Sequence, residues 1–120
     1  MNSYQSKIKK FAEDRKWAQF HNPKDLLLGI VEEVGEIRNV VKWEQDPIKL
    51  KEAMVRHREE VEDDLGDILW YLALMANGLD IDLNEAISKV IDSNEIRFPL
   101  NETVDRHTNT KLGGIDHKYN

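Results

Sequence analysis

Residues 26–43, LLLGIVEEVGEIRNVVKW, set the strongest constraint on what this chain can fold into. At about 100° per residue, Leu26, Ile30, Ile37 and Val40 share one face of a helix, with Val34 and Val41 beside them. A stripe of that kind has to be buried against another element. Glu33 falls inside the same arc, between Leu26 and Val40. Glu36 lies at its edge next to Gly29, where the missing side chain leaves room, while Glu32 points further round toward solvent. An ionised carboxylate in an apolar stripe is costly unless a cation or a shared proton compensates it. The fold must therefore supply a partner for Glu33 and Glu36.

Residues 59–76, EEVEDDLGDILWYLALMA, repeat the pattern. Asp64 and Asp67 share a face with Tyr71, Leu74 and Met75; Glu60 lies near that face and Asp63 closer to its edge. Helix positions three apart are neighbours, so one stretch offers ExxE and the other DxxD, each at the margin of a core-facing stripe. Packed antiparallel, the two helices bring four carboxylates together, which is tolerable only with cations present or protons shared. An all-oxygen set suits Mg²⁺ or Mn²⁺ rather than zinc or copper. A di-iron bundle site would need Glu-x-x-His, and none of His21, His57, His107 and His117 has a Glu three residues before it. The competing reading is plain surface charge: HREEVEDD taken alone is a solvated run. Two acidic pairs on facing stripes, with no Lys or Arg at matching spacing, favour the metal site.

The punctuation places these stretches on helices. Ile8, Phe11, Ala12 and Arg15 recur at helical spacing and give a first helix ending near Arg15 or Trp17. Asn22 as N-cap and Pro23 at the first position open a second helix to about Trp43. Asp46 and Pro47 repeat that signal for a third, which lasts to a C-cap at Gly78; its first half, IKLKEAMVRHREE, can form a separate or tilted segment. Asp82 and Glu85 form a capping-box variant that opens a fourth helix to about Arg97, stopped by Pro99. No segment alternates with period two, so no sheet is expected. The expected fold is an all-α antiparallel four-helix bundle over residues 1–98, followed by a polar tail over 99–120, extended or mobile, that contains Gly113 and Gly114. Gly35 is expected to mark close helix packing.

Composition narrows the function classes. A chain of 120 residues suits one domain, and a net charge of −6 weighs against a general nucleic-acid binder. The absence of cysteine excludes disulfides, thiolate zinc sites and cysteine nucleophiles. MNSYQSKIKKFAEDRKW has no apolar h-region, and no run is long enough to span a bilayer, so a cytoplasmic protein without membrane contact is expected.

EEVGE followed further along by DDLGDILWYLA resembles the MazG-like all-α nucleoside triphosphate pyrophosphohydrolases, whose signature is EExxE, a spacer, then ExxD. FAEDRKWAQFHNPKDLLLGIVEEVGEIRNVVKW and ISKVIDSNEIRFP resemble segments of the dCTP pyrophosphatases in that superfamily, so the likeness runs from about residue 8 to residue 99. It implies metal ligands at Glu33, Glu36, Asp64 and Asp67. Asp64 stands where the family usually has Glu, so it is expected to bind through water, to shift the ion, or to share its duty with Glu60 or Asp63. Trp17, Trp43 and Tyr71 match aromatic positions around the nucleotide. Lys89 and Asn94 match polar substrate contacts, at a spacing one residue longer, and Lys89 and Arg97 are expected to hold the outgoing phosphates. Position alone reads Trp17 and Trp43, near helix ends, as core-filling caps, and Tyr71 as ordinary packing or as a hydrogen-bond partner of a metal ligand or phosphate.

The implied reaction is Mg²⁺-dependent hydrolysis between the α and β phosphates, with Mn²⁺ as a substitute and Glu36 or Glu33 as general base. The implied substrate is dCTP or a modified cytosine nucleotide, and the implied assembly a homodimer or dimer-of-dimers tetramer that uses the apolar ILWYLALMA segment. The alternatives are a dUTP or broad-specificity hydrolase on the same fold, or a non-catalytic helical oligomerisation module.

Overall fold

A computed structural model describes residues 3–103, and every regular element among them is helical. In order these are α1 (Ser3–Asp14), a 3₁₀ turn (Trp17–Phe20), α2 (Pro23–Asn39), α3 (Pro47–Arg56), α4 (Arg58–Gly78), α5 (Leu83–Arg97) and α6 (Leu100–Thr103). None of these helices is long and apolar enough to cross a membrane.

The two Pro-opened helices start where their caps direct. The Asn22 side chain accepts from the Asp25 N–H at 2.9 Å, and Asp46 accepts from the Ile48 N–H at 2.9 Å, with Pro23 and Pro47 contributing no N–H to satisfy. Other boundaries differ from expectation. The second helix stops at Asn39 rather than Trp43, because Val40 and Val41 donate to carbonyls only three residues back, Ile37 and Arg38, at 3.1 and 3.0 Å. That tightening takes Trp43 off the helix. The long third stretch breaks at His57 (φ −102°, ψ 30°) into α3 and α4. Gly78 is the last residue of α4 and not its cap. The left-handed position falls on Asp80 (φ 54°), where Ile81 N–H reaches the Ala76 carbonyl at 2.9 Å and Asp80 N–H reaches Asn77 at 3.4 Å, a Schellman closure. Past Pro99 the chain is not extended at once but forms the single turn of α6, with Glu102 N–H donating to the Pro99 carbonyl at 3.0 Å. The rest of the expected tail, including Gly113 and Gly114, lies outside the described residues.

The chain divides into two compact units, one reaching to Leu83 and one from Asn84 onward. In the first, α4 packs along α2 and also meets α1 and α3. Its core joins Ala12, Leu26 and Leu74, with Ile8, Trp70, Tyr71 and Met75 packed against them. Along the α2–α4 seam Leu26 meets Leu74, Gly29 meets Tyr71, Glu33 meets Asp67 and Asp64, and Glu36 meets Asp64. Each step forward on α2 is a step back on α4, so the pair is antiparallel. Gln5, only 1% exposed, fastens α1 to the far end of α4. Its Nε2 donates to the Ile81 carbonyl at 2.7 Å and to Asn77 Oδ1 at 3.0 Å, its Oε1 accepts from Leu83 N–H at 3.0 Å, and Asn77 Nδ2 donates back to the Gln5 carbonyl at 3.2 Å. A buried amide satisfied on both atoms is a fixed joint.

Candidate metal centre

The antiparallel seam turns the ExxE of α2 toward the DxxD of α4. Glu33, Asp64 and Asp67 each bring a carboxylate oxygen to within 4.8 Å of the others. Asp64 is the most enclosed of them, at 8% exposure, while Glu33 and Asp67 are half-buried. Glu36 stands at the exposed rim and borders Asp64. Among the described residues no basic side chain pairs with any of the four; Lys9–Glu13, Lys10–Asp14 and His57–Glu60 form ion pairs elsewhere. Oε2 of Glu33 is shut off from solvent and, among the described residues, accepts no hydrogen bond.

This crowding changes how the carboxylates hold protons. Loss of solvent, and then the negative charges of Glu36 and Asp67, push the Glu33 carboxyl from its ordinary 4.5 up to about 7. Glu36 is raised as well, first by its hydrogen bond with Asp64 and then by the Asp64 charge. Carboxylates with raised proton affinity, no basic partner and one desolvated oxygen with nothing to accept fit a hard divalent cation, which takes oxygen ligands alone. Glu60 and Asp63, one of which could share the duty of Asp64, are exposed and outside the cluster, and Glu60 lies 3.5 Å from His57 instead. Glu32 is exposed, as its position on the helix implied.

Three local expectations change. The room beside Gly29 is taken by Tyr71 rather than Glu36: a Cβ at Gly29 would lie 2.8 Å from Tyr71 Cζ and 3.0 and 3.1 Å from its Cε atoms. Among the described residues Gly35 has nothing within 4 Å of such a Cβ, because it sits on the side of α2 turned away from α4, and no close packing is found there. Trp43 does not cap the core: off the end of α2, it is 87% exposed with Lys42 Nζ 5.1 Å from its ring. Trp17 is 37% exposed; it meets Phe11 edge-on at 5.4 Å, and Phe11 in turn meets Trp70 at 5.2 Å.

The remaining expected residues lie on α5, in the second unit, whereas the carboxylates belong to the first. Lys89 is exposed, Asn94 and Arg97 are half-buried, and the Arg97 guanidinium is 5.1 Å from the Phe98 ring. Sequence reasoning missed the Gly29–Tyr71 contact and the Gln5 joint. A glycine inside a core-facing stripe was the available signal for the first; Gln5 gave none.

Residues 21–100 match the model of the MazG nucleotide pyrophosphohydrolase domain. The chain is 36% identical over 91 residues to dCTP pyrophosphatase 1 of Mus musculus, covering 75% of this chain and 54% of that protein. It is 37% identical over 90 residues to dCTP pyrophosphatase 1 of Homo sapiens, covering 74% and 53%. The chain thus spans about half the length of these curated relatives. The crystal structure of a pyrophosphatase from Archaeoglobus fulgidus superposes with a TM-score of 0.70 at 29% identity, covering 78% of this chain and 87% of that one. By its matched domain and by the chains it resembles, the protein belongs to the MazG nucleotide pyrophosphohydrolase family.

Proposed function

We propose that the chain hydrolyses a nucleoside triphosphate between its α and β phosphates, releasing the monophosphate and pyrophosphate, with Mg²⁺ held by Glu33, Glu36, Asp64 and Asp67. The observation that carries this reading is the Glu33 oxygen, buried and unpartnered in an all-carboxylate cluster. A triphosphate is a polyanion, so an acidic site takes it only through cations. A divalent ion held by these carboxylates would supply neutralisation of charge on the phosphoryl oxygens and a more acidic water.

The chain's own residues divide the remaining work. Asp64, enclosed between α2 and α4, fixes the inner edge of the site. Glu36 at the rim is reachable by solvent and would accept a proton from the attacking water, while Glu33, with its inner oxygen desolvated, would serve to hold the cation. The exposed indoles of Trp17 and Trp43, with Tyr71, offer flat surface for a base. Asn94 both donates and accepts and so suits a base edge, and Lys89 and Arg97 suit the departing phosphates.

The relatives named dCTP pyrophosphatase 1 favour dCTP or a modified cytosine nucleotide as substrate. Leu27, Leu28, Val31 and Val34 of α2, with Leu65 and Leu69 of α4, are 49–64% exposed, an apolar surface that suits a homodimer or a dimer-of-dimers tetramer. In this reading residues 1–98 form the antiparallel four-helix catalytic domain, 99–120 its tail, and the enzyme works in the cytoplasm without nucleic-acid or membrane partners.

The test is a panel of dNTPs and NTPs with Mg²⁺ or Mn²⁺, scored by rate. Fastest turnover of dCTP or a modified cytosine nucleotide is expected. A preference for dUTP, or none, moves the specificity to the alternative hydrolases. No turnover of any nucleotide with either ion overturns the proposal in favour of a non-catalytic helical module.

A further inference from the structure

Tyr71 stands at a boundary along the α2–α4 seam. One turn toward the C-terminus of α4, Leu74 meets Leu26 in the core; one turn the other way, Asp67 meets Glu33 in the acidic cluster. The ring lies against the backbone of α2 at Gly29, and a Cβ there would come within 2.8–3.1 Å of three ring carbons. It therefore fills the volume that any side chain at that position would need. Glycine inside a helix is unfavourable relative to alanine, because it loses more backbone freedom on folding. No positive φ at Gly29 calls for it, so its use here is spatial.

Building on the triphosphate reading above, we infer that Gly29 is a positioning residue for nucleotide binding: it is the socket that seats the Tyr71 ring as the inner wall of the site. The half-buried ring ends the apolar seam where the carboxylates begin. With its face held against α2 it has little freedom to swing, so it presents one fixed surface toward the cation-bound nucleotide. A methyl group at position 29 lifts the ring off α2 and into the space the nucleotide occupies, without removing any carboxylate.

The experiment compares wild type, Gly29→Ala, Tyr71→Leu and the double variant. Mn²⁺ is titrated into each metal-free protein, and the non-hydrolysable α,β-imido analogue of dCTP is titrated with Mg²⁺ present. Gly29→Ala is expected to weaken analogue binding, and to raise KM, by about tenfold, with Mn²⁺ affinity within about twofold and kcat within about threefold of wild type. Tyr71→Leu is expected to reproduce that loss, and adding Gly29→Ala to it to change affinity by less than about twofold, since both act through one ring. Unchanged analogue affinity in Tyr71→Leu overturns the inference whatever Gly29→Ala does. So do multiplicative effects in the double variant, or a loss of Mn²⁺ affinity as large as the loss of nucleotide affinity. Wild-type protein that binds Mn²⁺ but no analogue sinks the triphosphate reading itself; wild-type binding with an indifferent Gly29→Ala sinks only the socket.

Discussion

Metal binding at this centre is predicted to expel protons, by an amount that depends steeply on pH. The Glu33 carboxyl titrates at about 7 in the folded chain against an ordinary 4.5, chiefly because it has lost solvent. In the metal-free protein a raised folded pKa means the native state keeps a proton that the unfolded chain has already released. The stability linked to that proton is full below pH 4.5 and is lost as pH rises through about 7. A cation competes with the same proton. Counting Glu33 alone, binding releases about 0.9 proton at pH 6, about half a proton at pH 7 and about 0.1 at pH 8. Calorimetric titration of Mn²⁺ in two buffers of different ionisation enthalpy reads the number directly. Melting curves give the companion result: the metal-free protein melts lower as pH rises from about 5 to about 8, and added metal restores more at the upper end. Glu33→Gln flattens the metal-free dependence. Proton release that is absent at pH 6, or that does not fall toward pH 8, refutes the account of Glu33 as a desolvated cation ligand.

Three further outcomes follow from individual residues. Asp64→Ala abolishes Mn²⁺ binding, whereas Glu60→Ala and Asp63→Ala leave its affinity within about twofold, because the latter two stand outside the cluster; calorimetry on the three variants decides it. Asp80→Gly stabilises the fold by about 1 kcal/mol in urea unfolding, since the Schellman position at φ 54° strains any residue with a Cβ. Gly35→Ala, with open space around it, raises stability by about 0.5–1 kcal/mol, and a loss instead would show that another surface packs there.

Much of this architecture was written locally. The Asn22–Pro23 and Asp46–Pro47 starts were legible because an N-cap and its N–H partner lie within three residues of each other. The acidic cluster was legible because an ExxE and a DxxD on amphipathic helices can meet at one place if the helices run antiparallel. What could not be read depended on contacts between distant residues or on small differences between turn types. Whether Val40 to Trp43 continue the helix or tighten into turns is a choice of carbonyl partner one residue apart. The break at His57 carries no glycine or proline to announce it, and the left-handed residue after α4 proved to be Asp80 although Gly78 was close by. Gly29 and Gly35 look alike in the sequence. Only the packing of α4 on one side of α2 shows that the first receives an aromatic ring and the second faces open space. Asp64 looked like the displaced corner of the site because its side chain is one methylene short. It is the most enclosed carboxylate of the four, a property set by helix approach rather than by side-chain length.

The central claim is cleavage between the α and β phosphates at this carboxylate centre. A ³¹P NMR time course of dCTP with Mg²⁺ in ¹⁸O-enriched water, run on wild type and on Glu36→Gln, tests it most directly. The account predicts dCMP and pyrophosphate as first products, a single ¹⁸O atom in one of them, and no turnover by a Glu36→Gln protein that remains folded. First products of dCDP and orthophosphate, or full activity in Glu36→Gln, would contradict it.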